Sequence, residues 1–127
     1  MNNNPTNENT ADSNDAWLDE LIEWAEYEYS ISEEDFPRDK EALLNLTSLS
    51  LDYNALSTLP ESIGNLTNLT VLNLSCNQLS TLPKSISNLI NLTSFDLTCN
   101  QLRKIPKSVS NLIDEIDLRF IEEYEKN

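Results

Sequence analysis

The stretch "LNLSCNQLSTLPKSISNLINL", residues 72–92, decides how this chain is interpreted, because it is written three times with small changes. The version before it is "LSLDYNALSTLPESIGNLTNL" (49–69), and the version after it is "FDLTCNQLRKIPKSVSNLIDE" (95–115). The copies follow one another every 23 residues without an insertion or a deletion. A period of this length indicates a solenoid in which each copy forms one coil.

Nine positions recur in every copy, and most of them are leucine. In the second copy they are Leu69, Leu72, Leu74, Asn77, Leu79, Leu82, Pro83, Ile86 and Leu89. Two leucines separated by one residue lie on the same face of a strand, so stacked copies are predicted to form a parallel sheet over a common leucine core. Each leucine buried in this way contributes about 1.5–3 kcal/mol.

One polar position recurs as strictly as the leucines. Asn54, Asn77 and Asn100 lie where each coil turns away from its strand. An amide side chain has two donor hydrogens and one acceptor oxygen, so it can bond backbone groups of its own coil and of the next. We therefore predict a ladder formed by these three asparagines. Glu123 follows Asn100 by one period and cannot donate, so it is predicted to end the ladder.

The pattern LxxLxLxxNxLxxLPxxIxxLxx resembles the leucine-rich repeat, in the 23-residue form common in bacterial and plant intracellular members. The resemblance is strict over residues 46–114 and looser over 31–45 and 115–122. It implies an α/β fold, a short solenoid with a parallel β-sheet on its concave face and loops or short 3-10 turns on its convex face. It also implies a non-enzymatic module that binds a partner protein through the concave face.

The chain divides into four predicted segments. Residues 1–14 are rich in asparagine and lack apolar periodicity, so we expect a disordered lead-in. Residues 15–45 are predicted to form a helical N-terminal cap, because a stack of coils exposes leucine at its ends. Residues 46–114 are assigned to three repeats, and residues 115–127 to a closing strand and an acidic tail.

The cap is predicted from an apolar stripe at helical spacing. The stripe consists of Leu18, Leu21, Ile22, Ala25 and Tyr29. It predicts an amphipathic helix of roughly 15 residues. Trp17 and Trp24 flank the stripe and are expected to pack the cap against the first coil, and a short second helix is expected around 38–44.

The closing strand is predicted from the same period. Leu118 and Phe120 follow Phe95 and Leu97 by 23 residues, which predicts that they continue the sheet in register. The end of the stack would then carry little covering structure, and an uncovered parallel edge can pair with another chain. A self-assembling solenoid, or a weak homodimer, is therefore one alternative function.

The residues between the strand leucines are predicted to face outward and to form the partner-binding surface. They are Ser48, Ser50, Asp52, Tyr53, Val71, Asn73, Ser75, Ser94, Asp96, Thr98 and Arg119. Most are small and polar, whereas binding hot spots favour Trp, Tyr and Arg. A solvated face without a strong partner is therefore the competing interpretation of the same residues.

Cys76 and Cys99 occupy equivalent positions in adjacent coils. Their Cα atoms are expected about 5 Å apart, which is within the range for a disulfide. Parallel neighbours point the same way, however, so a bond between them would be strained, and no secretory signal precedes the repeats. We therefore expect two reduced cysteines. The chain has no histidine, so neither a metal site nor a cofactor is predicted.

The formal charge of −14 lies at the two ends of the chain. Residues 1–45 carry −11 and residues 115–127 carry −3, whereas residues 46–114 are neutral. This acidity disfavours binding to nucleic acid and to anionic membranes. It also motivates an alternative function, an acidic inhibitor or nucleic-acid mimic that acts through the acidic helix and tail.

No sequence motif of an enzyme is present. The chain lacks a glycine-rich phosphate loop, a nucleophile elbow and any triad with histidine. The absence of a classical signal peptide predicts a cytoplasmic protein, with export by another route left open.

Overall fold

The computed structural model describes residues 15–106, 115–116 and 123–124. The helical elements in these ranges are α1 (Ala16–Glu23), a π-helical turn (Trp24–Glu28), α2 (Lys40–Leu44) and two 3-10 helices (Glu61–Asn65 and Lys84–Asn88). The strands are β1 (Ser48–Ser50), β2 (Val71–Asn73), β3 (Ser94–Leu97), β4 (Lys104–Ile105), β5 (Glu115–Ile116) and β6 (Glu123–Tyr124). This is the α/β solenoid with an N-terminal helix that the repeat predicts. The lead-in predicted for residues 1–14 lies outside the described residues.

The strands of successive coils form a parallel sheet in the order β1-β2-β3-β5. Leu49 pairs with Leu72, and Leu72 pairs with Phe95, so each strand lies one full period from the next. The backbone bonds continue past the ends of β1 and β2. Side chains along each strand alternate between the two faces of the sheet, and Leu51, Leu74 and Leu97 are completely buried. The LxL pattern therefore builds one shared core, as predicted.

The return segment of each coil is also shaped by the repeat. Pro60 and Pro83 precede the 3-10 helices, and Ile63 and Ile86 bury their side chains from those helices into the core. Gly64 lies in the first of these helices. A Cβ atom at Gly64 would lie 2.6 Å from the carbonyl oxygen of Ser85, so only glycine allows the first two coils to approach this closely.

The register predicted for the closing strand is wrong by four residues. β5 pairs with β3 so that Leu97 lies opposite Ile116, a separation of 19 residues rather than 23. β4 pairs with β6 at the same separation of 19 residues, so Glu123 lies opposite Lys104 and not opposite Asn100. Both pairings therefore have one offset, which the 23-residue period does not predict.

The cap differs from the single long helix that the stripe predicts. The α-helix ends at Glu23, and the next five residues form a π-helical turn in which the Tyr29 amide N–H donates to the Trp24 carbonyl oxygen at 3.2 Å. This wider turn buries Trp24 and Ala25. Trp24 makes edge-to-face contacts with Tyr29 and Phe36, with ring centroids 5.7 and 5.8 Å apart.

A loop held by Arg38 completes the cap. The Arg38 Nε atom donates to Glu26 Oε1 at 3.1 Å, and its two terminal nitrogens donate to the carbonyl oxygens of Ile31 and Phe36. Phe36 and Leu43 stand one period before Leu59 and Leu66, and both are completely buried. The cap therefore uses the apolar positions of a repeat without its strand.

Hydrogen bonds join the cap to the first coil. Trp24 Nε1 donates to the Thr58 carbonyl oxygen at 3.0 Å, and Glu20 Oε1 accepts from the Ser62 amide at 3.0 Å. The Tyr29 hydroxyl oxygen accepts from the amides of Ser57 and Thr58, both at 3.1 Å. Burial raises the pKa of Tyr29, but its hydrogen bonds with Ser57 and Thr58 outweigh that effect, so its pKa lies below the ordinary value of 10.0.

We expect Tyr29→Phe to lower the free energy of unfolding by about 1 kcal/mol, because two amides lose their acceptor. Tyr27→Phe is the matched control, since Tyr27 is 76% exposed on the same turn. Urea denaturation followed by tryptophan fluorescence measures both changes. Because the folded state lowers the pKa of Tyr29, the difference between wild type and Tyr29→Phe should widen as the pH rises towards 10. Equal effects of the two substitutions would contradict this account of the cap.

Candidate functional site

The outer face of the sheet carries the predicted contact residues of the first three strands. Ser48, Ser50 and Val71 are exposed, and Asn73, Ser94 and Asp96 are half-buried, while the leucines between them face inward. Asp52 and Thr98 are half-buried just past their strands. Arg119 lies outside the described residues.

The polar side chains on this face bond one another across the coils. Ser50 Oγ donates to Asp52 Oδ1 at 3.1 Å, and Asn73 Nδ2 donates to Ser50 Oγ at 3.3 Å. These contacts join the first coil to the second. The side chains are therefore held in place before any partner arrives.

Two of these side chains also hold the turn that follows their own strand. Asn73 Oδ1 accepts from the Ser75 amide at 2.9 Å. Asp96 Oδ1 accepts from the Thr98 amide at 3.0 Å and from the Thr98 hydroxyl at 2.7 Å. The second oxygen of Asp96, Oδ2, makes no hydrogen bond within the described part of the chain.

Ser75 does not lie on the surface as predicted, because it is only 9% exposed. Its carbonyl oxygen accepts from the Tyr53 amide and from Asn77 Nδ2, both at 3.2 Å. The alternation of a strand does not extend to this residue, since the chain is already turning there.

A row of left-handed residues borders the concave face where the strands end. Tyr53, Cys76 and Cys99 have φ values of 60°, 54° and 62°. We call these three residues the αL row. Each immediately precedes one of the recurrent asparagines, which was the available sequence signal, but the conformation was not predicted. An L-residue other than glycine or asparagine is disfavoured there by about 1–2 kcal/mol.

Tyr53 is the large exposed side chain of the αL row, at 77% exposure. Its hydrogen bond with the Cys76 side chain raises its pKa above the ordinary value, and the charges of Cys76, Cys99 and Asp52 add to this. Neither cysteine is in a disulfide in this structure. Cys76 is half-buried and Cys99 is exposed.

Behind the αL row, Asn77 bridges two coils with both ends of its amide. Its Oδ1 accepts from the amides of Asn54 and Leu56 at 2.9 and 3.0 Å. Its Nδ2 donates to the carbonyl oxygens of Leu51 and Leu74 at 3.0 and 2.9 Å, besides the contact with Ser75. These contacts satisfy backbone groups of both coils inside the core.

Asn100 repeats this arrangement one coil later, and Asn54 does not. Asn100 Oδ1 accepts from the Leu79 amide at 2.9 Å, and its Nδ2 donates to the carbonyl oxygens of Leu74 and Leu97 at 2.9 and 3.1 Å. Asn54 is half-buried, and among the described residues its side chain donates only to the Asp52 carbonyl oxygen, at 3.2 Å. The difference follows from position, because Asn54 belongs to the first coil and has no strand before it to bridge.

A second set of ladders was missed in the sequence. Asn68 Nδ2 donates to the Leu44 carbonyl oxygen at 2.6 Å, and Asn91 Nδ2 donates to that of Thr67 at 2.8 Å. The hydroxyl of Thr70 likewise donates to the Thr47 carbonyl oxygen at 3.0 Å. The recurring "NLT" segments at 68–70 and 91–93 were the available signal. These contacts join adjacent coils at the start of each strand.

Two open clefts lie along the return segments of the coils, the first between the cap and the first coil and the second between the first and second coils. The first, of about 290 Å³, is lined by Glu20, Glu23, Trp24, Glu28, Thr58, Leu59 and Pro60. The second, of about 340 Å³, is lined by Thr58, Leu59, Glu61, Thr81, Leu82, Pro83 and Lys84. Within the described ranges no three metal-binding side chains converge, and no helix has the length and apolar character needed to cross a bilayer.

Comparison with known proteins accounts for this geometry. The sequence profile described as "Leucine rich repeat" matches residues 44–102. Residues 44–102 are leucine-rich repeats. A solved structure of a leucine-rich repeat protein from Leptospira interrogans is 39% identical, with a TM-score of 0.53. The match covers 58% of this chain and 19% of that protein, so the similarity concerns the repeats. A search of curated proteins returned no match. Leucine-rich repeats serve in general as scaffolds for protein interaction.

We expect Asn77→Asp to destabilise the leucine-rich repeats by about 3 kcal/mol or more, because a carboxylate beside the carbonyl oxygens of Leu51 and Leu74 replaces two buried donor contacts. Asn54→Asp occupies the same repeat position at the half-buried front of the array and should lose about 1 kcal/mol or less. Urea denaturation of the two variants gives the comparison. A smaller loss for Asn77→Asp than for Asn54→Asp would show that the buried bridge does not support the array.

Proposed function

We propose that this chain is a non-enzymatic protein-interaction module that binds a partner protein through its concave face, with Tyr53 as the central contact. The observation that carries the proposal is the state of Tyr53, a large aromatic side chain that is 77% exposed and held in the left-handed region. Tyrosine is one of the residues most often found at the energetic centre of interfaces.

The backbone conformation of Tyr53 strengthens this argument. Glycine and asparagine adopt positive φ at the lowest free-energy cost, and bulky residues do so rarely. A tyrosine here lowers stability and fills no space in the core, since its side chain is exposed. Residues held in sparsely populated backbone regions tend to cluster at functional sites. A contact made by the phenol ring would explain why tyrosine occupies this turn.

The charge of the face indicates what the partner offers. Asp52 and Asp96 are the acidic residues among the predicted contact positions from 48 to 98, and no lysine or arginine lies among these positions. A partner segment with hydrogen-bond donors or positive charge therefore complements it. The contacts among Ser50, Asp52 and Asn73 already fix these side chains, which reduces the entropy lost on binding.

The two alternative functions have less support from the described residues. An acidic inhibitor would act through the carboxylates of the cap, yet Glu20 binds the Ser62 amide and Glu26 pairs with Arg38 at 3.1 Å. Both carboxylates therefore hold the fold together. Self-assembly through the last coil would depend largely on residues 107–127, most of which lie outside the described residues.

We expect Tyr53→Asn to separate stability from binding. Asparagine tolerates positive φ, so the melting temperature should stay the same or rise, while affinity for the partner should fall roughly 10-fold or more. The partner would be identified by affinity capture with the wild type and its dissociation constant measured by calorimetry. Tyr27→Ala is the matched control, because Tyr27 is equally exposed on the acidic cap. A loss of affinity with Tyr27→Ala and none with Tyr53→Asn would move the contact to the cap.

A further inference from the structure

We propose that Cys76 and Cys99 form a reversible dithiol–disulfide pair, a thiol-exchange site that reacts with small disulfides such as oxidised glutathione and links the second and third repeats. The site lies on the αL row, beside the Tyr53 contact. Its formation does not depend on the proposed function, whereas any effect on partner binding does.

The register of the sheet brings the two cysteines opposite each other. Val71 pairs with Ser94 and Asn73 with Asp96. The backbone bonds continue in step past the strands, since the Leu74 amide donates to the Asp96 carbonyl oxygen at 2.9 Å and the Cys76 amide to that of Thr98 at 2.8 Å. Cys76 therefore lies directly opposite Cys99. Neighbouring strands are about 4.8 Å apart, which is within the range of Cα separations that a disulfide spans.

The left-handed turn changes what the two side chains can do. In a regular parallel strand the sequence pattern alone would predict two fixed, parallel side chains that cannot meet. Here both residues have left the strand and have φ values of 54° and 62°. The sheet fixes the separation of the two backbones, and both residues lie at the surface, where strand alternation no longer sets the direction of their side chains. The structure thus brings two thiols together without locking them into a bond.

Both sulfurs are within reach of a small reagent. Cys99 is exposed and Cys76 is half-buried, in contrast to Leu74 and Leu97 of the same coils, which are completely buried. A disulfide at an exposed turn is also open to reduction, and exposed disulfides belong to the labile and regulatory kind. The pair is consequently placed for exchange and not for permanent cross-linking.

The chemistry balances with a small disulfide as the oxidant. The thiolate of one cysteine attacks a sulfur of oxidised glutathione and releases one glutathione thiolate, which leaves a mixed disulfide on the protein. The thiolate of the second cysteine then attacks the protein sulfur of that mixed disulfide and releases the second glutathione thiolate. The protein loses two electrons and two protons. The small disulfide gains both, becoming two molecules of reduced glutathione.

The exchange has a consequence for the neighbouring residue Tyr53. In the reduced protein the neighbouring Cys76 side chain is the largest cause of the raised pKa of Tyr53. A disulfide sulfur is a weaker hydrogen-bond partner and carries no charge, so oxidation should bring the pKa of Tyr53 back towards 10.0. On the proposed function, it would therefore alter the contact that the partner meets.

Titration of the full chain with oxidised glutathione tests the pair without a partner. We expect wild type to lose both thiols, to lose the mass of two hydrogen atoms and to remain monomeric, with full reversal by dithiothreitol. Cys76→Ser and Cys99→Ser should instead each gain one glutathione. A wild-type chain that gains two glutathiones, forms a covalent dimer or leaves both thiols unreacted would overturn the proposal.

Absorbance titration of the tyrosines gives a second readout that simple proximity of the thiols would not change. We expect one tyrosine to titrate at lower pH after oxidation of the wild type, and this shift to be absent in Tyr53→Phe. No shift would contradict the link between the cysteine pair and Tyr53. Since thiol counts and this titration need no partner, they distinguish failure of the pair from failure of the binding proposal.

Discussion

The structure depends on the amide of Asn77, which satisfies backbone groups of two coils at once from inside the core. A chain that leaves a strand and turns while buried has amides and carbonyl groups with no strand partner, and each one left unbonded costs about 1–3 kcal/mol. Asn77 supplies an acceptor and donors at that point, and Asn100 does the same one coil later. Leucine stacking gives the solenoid its core, but without this amide the coils could not turn and stay packed.

The same turn links stability to the proposed binding surface. The asparagine side chain points inward, and the residue before it adopts a left-handed conformation and points out, so each coil presents one side chain at the sheet edge. Tyr53, Cys76 and Cys99 are presented in this way. The stabilising amide and the exposed row are therefore two results of one backbone geometry, which explains how a locally unfavourable tyrosine is tolerated.

How far the sequence predicts this molecule depends on whether a feature repeats. The 23-residue period predicted the leucine core, the parallel sheet and the coil, because each coil packs against an equivalent coil. It did not predict the closing register, because Leu97 pairs with Ile116 and Lys104 with Glu123 at a separation of 19 residues that differs from the period. It also missed the π-helical turn, which packing of Trp24 against Phe36 favours over regular helix. The αL row repeats, but its dihedral angles depend on three-dimensional closure and not on hydrophobic pattern.

Gly64 shows that the coils are less interchangeable than their sequences suggest. The matching position in the second coil is Ser87, whose side chain would collide with the backbone of the next coil if it stood where Gly64 stands. Exchanging the first and second units would preserve every leucine and asparagine of the motif and still force the two coils apart. The close spacing of the first two coils therefore fixes the order of the units. An engineered array with shuffled or duplicated units would need a glycine at this position of its first unit.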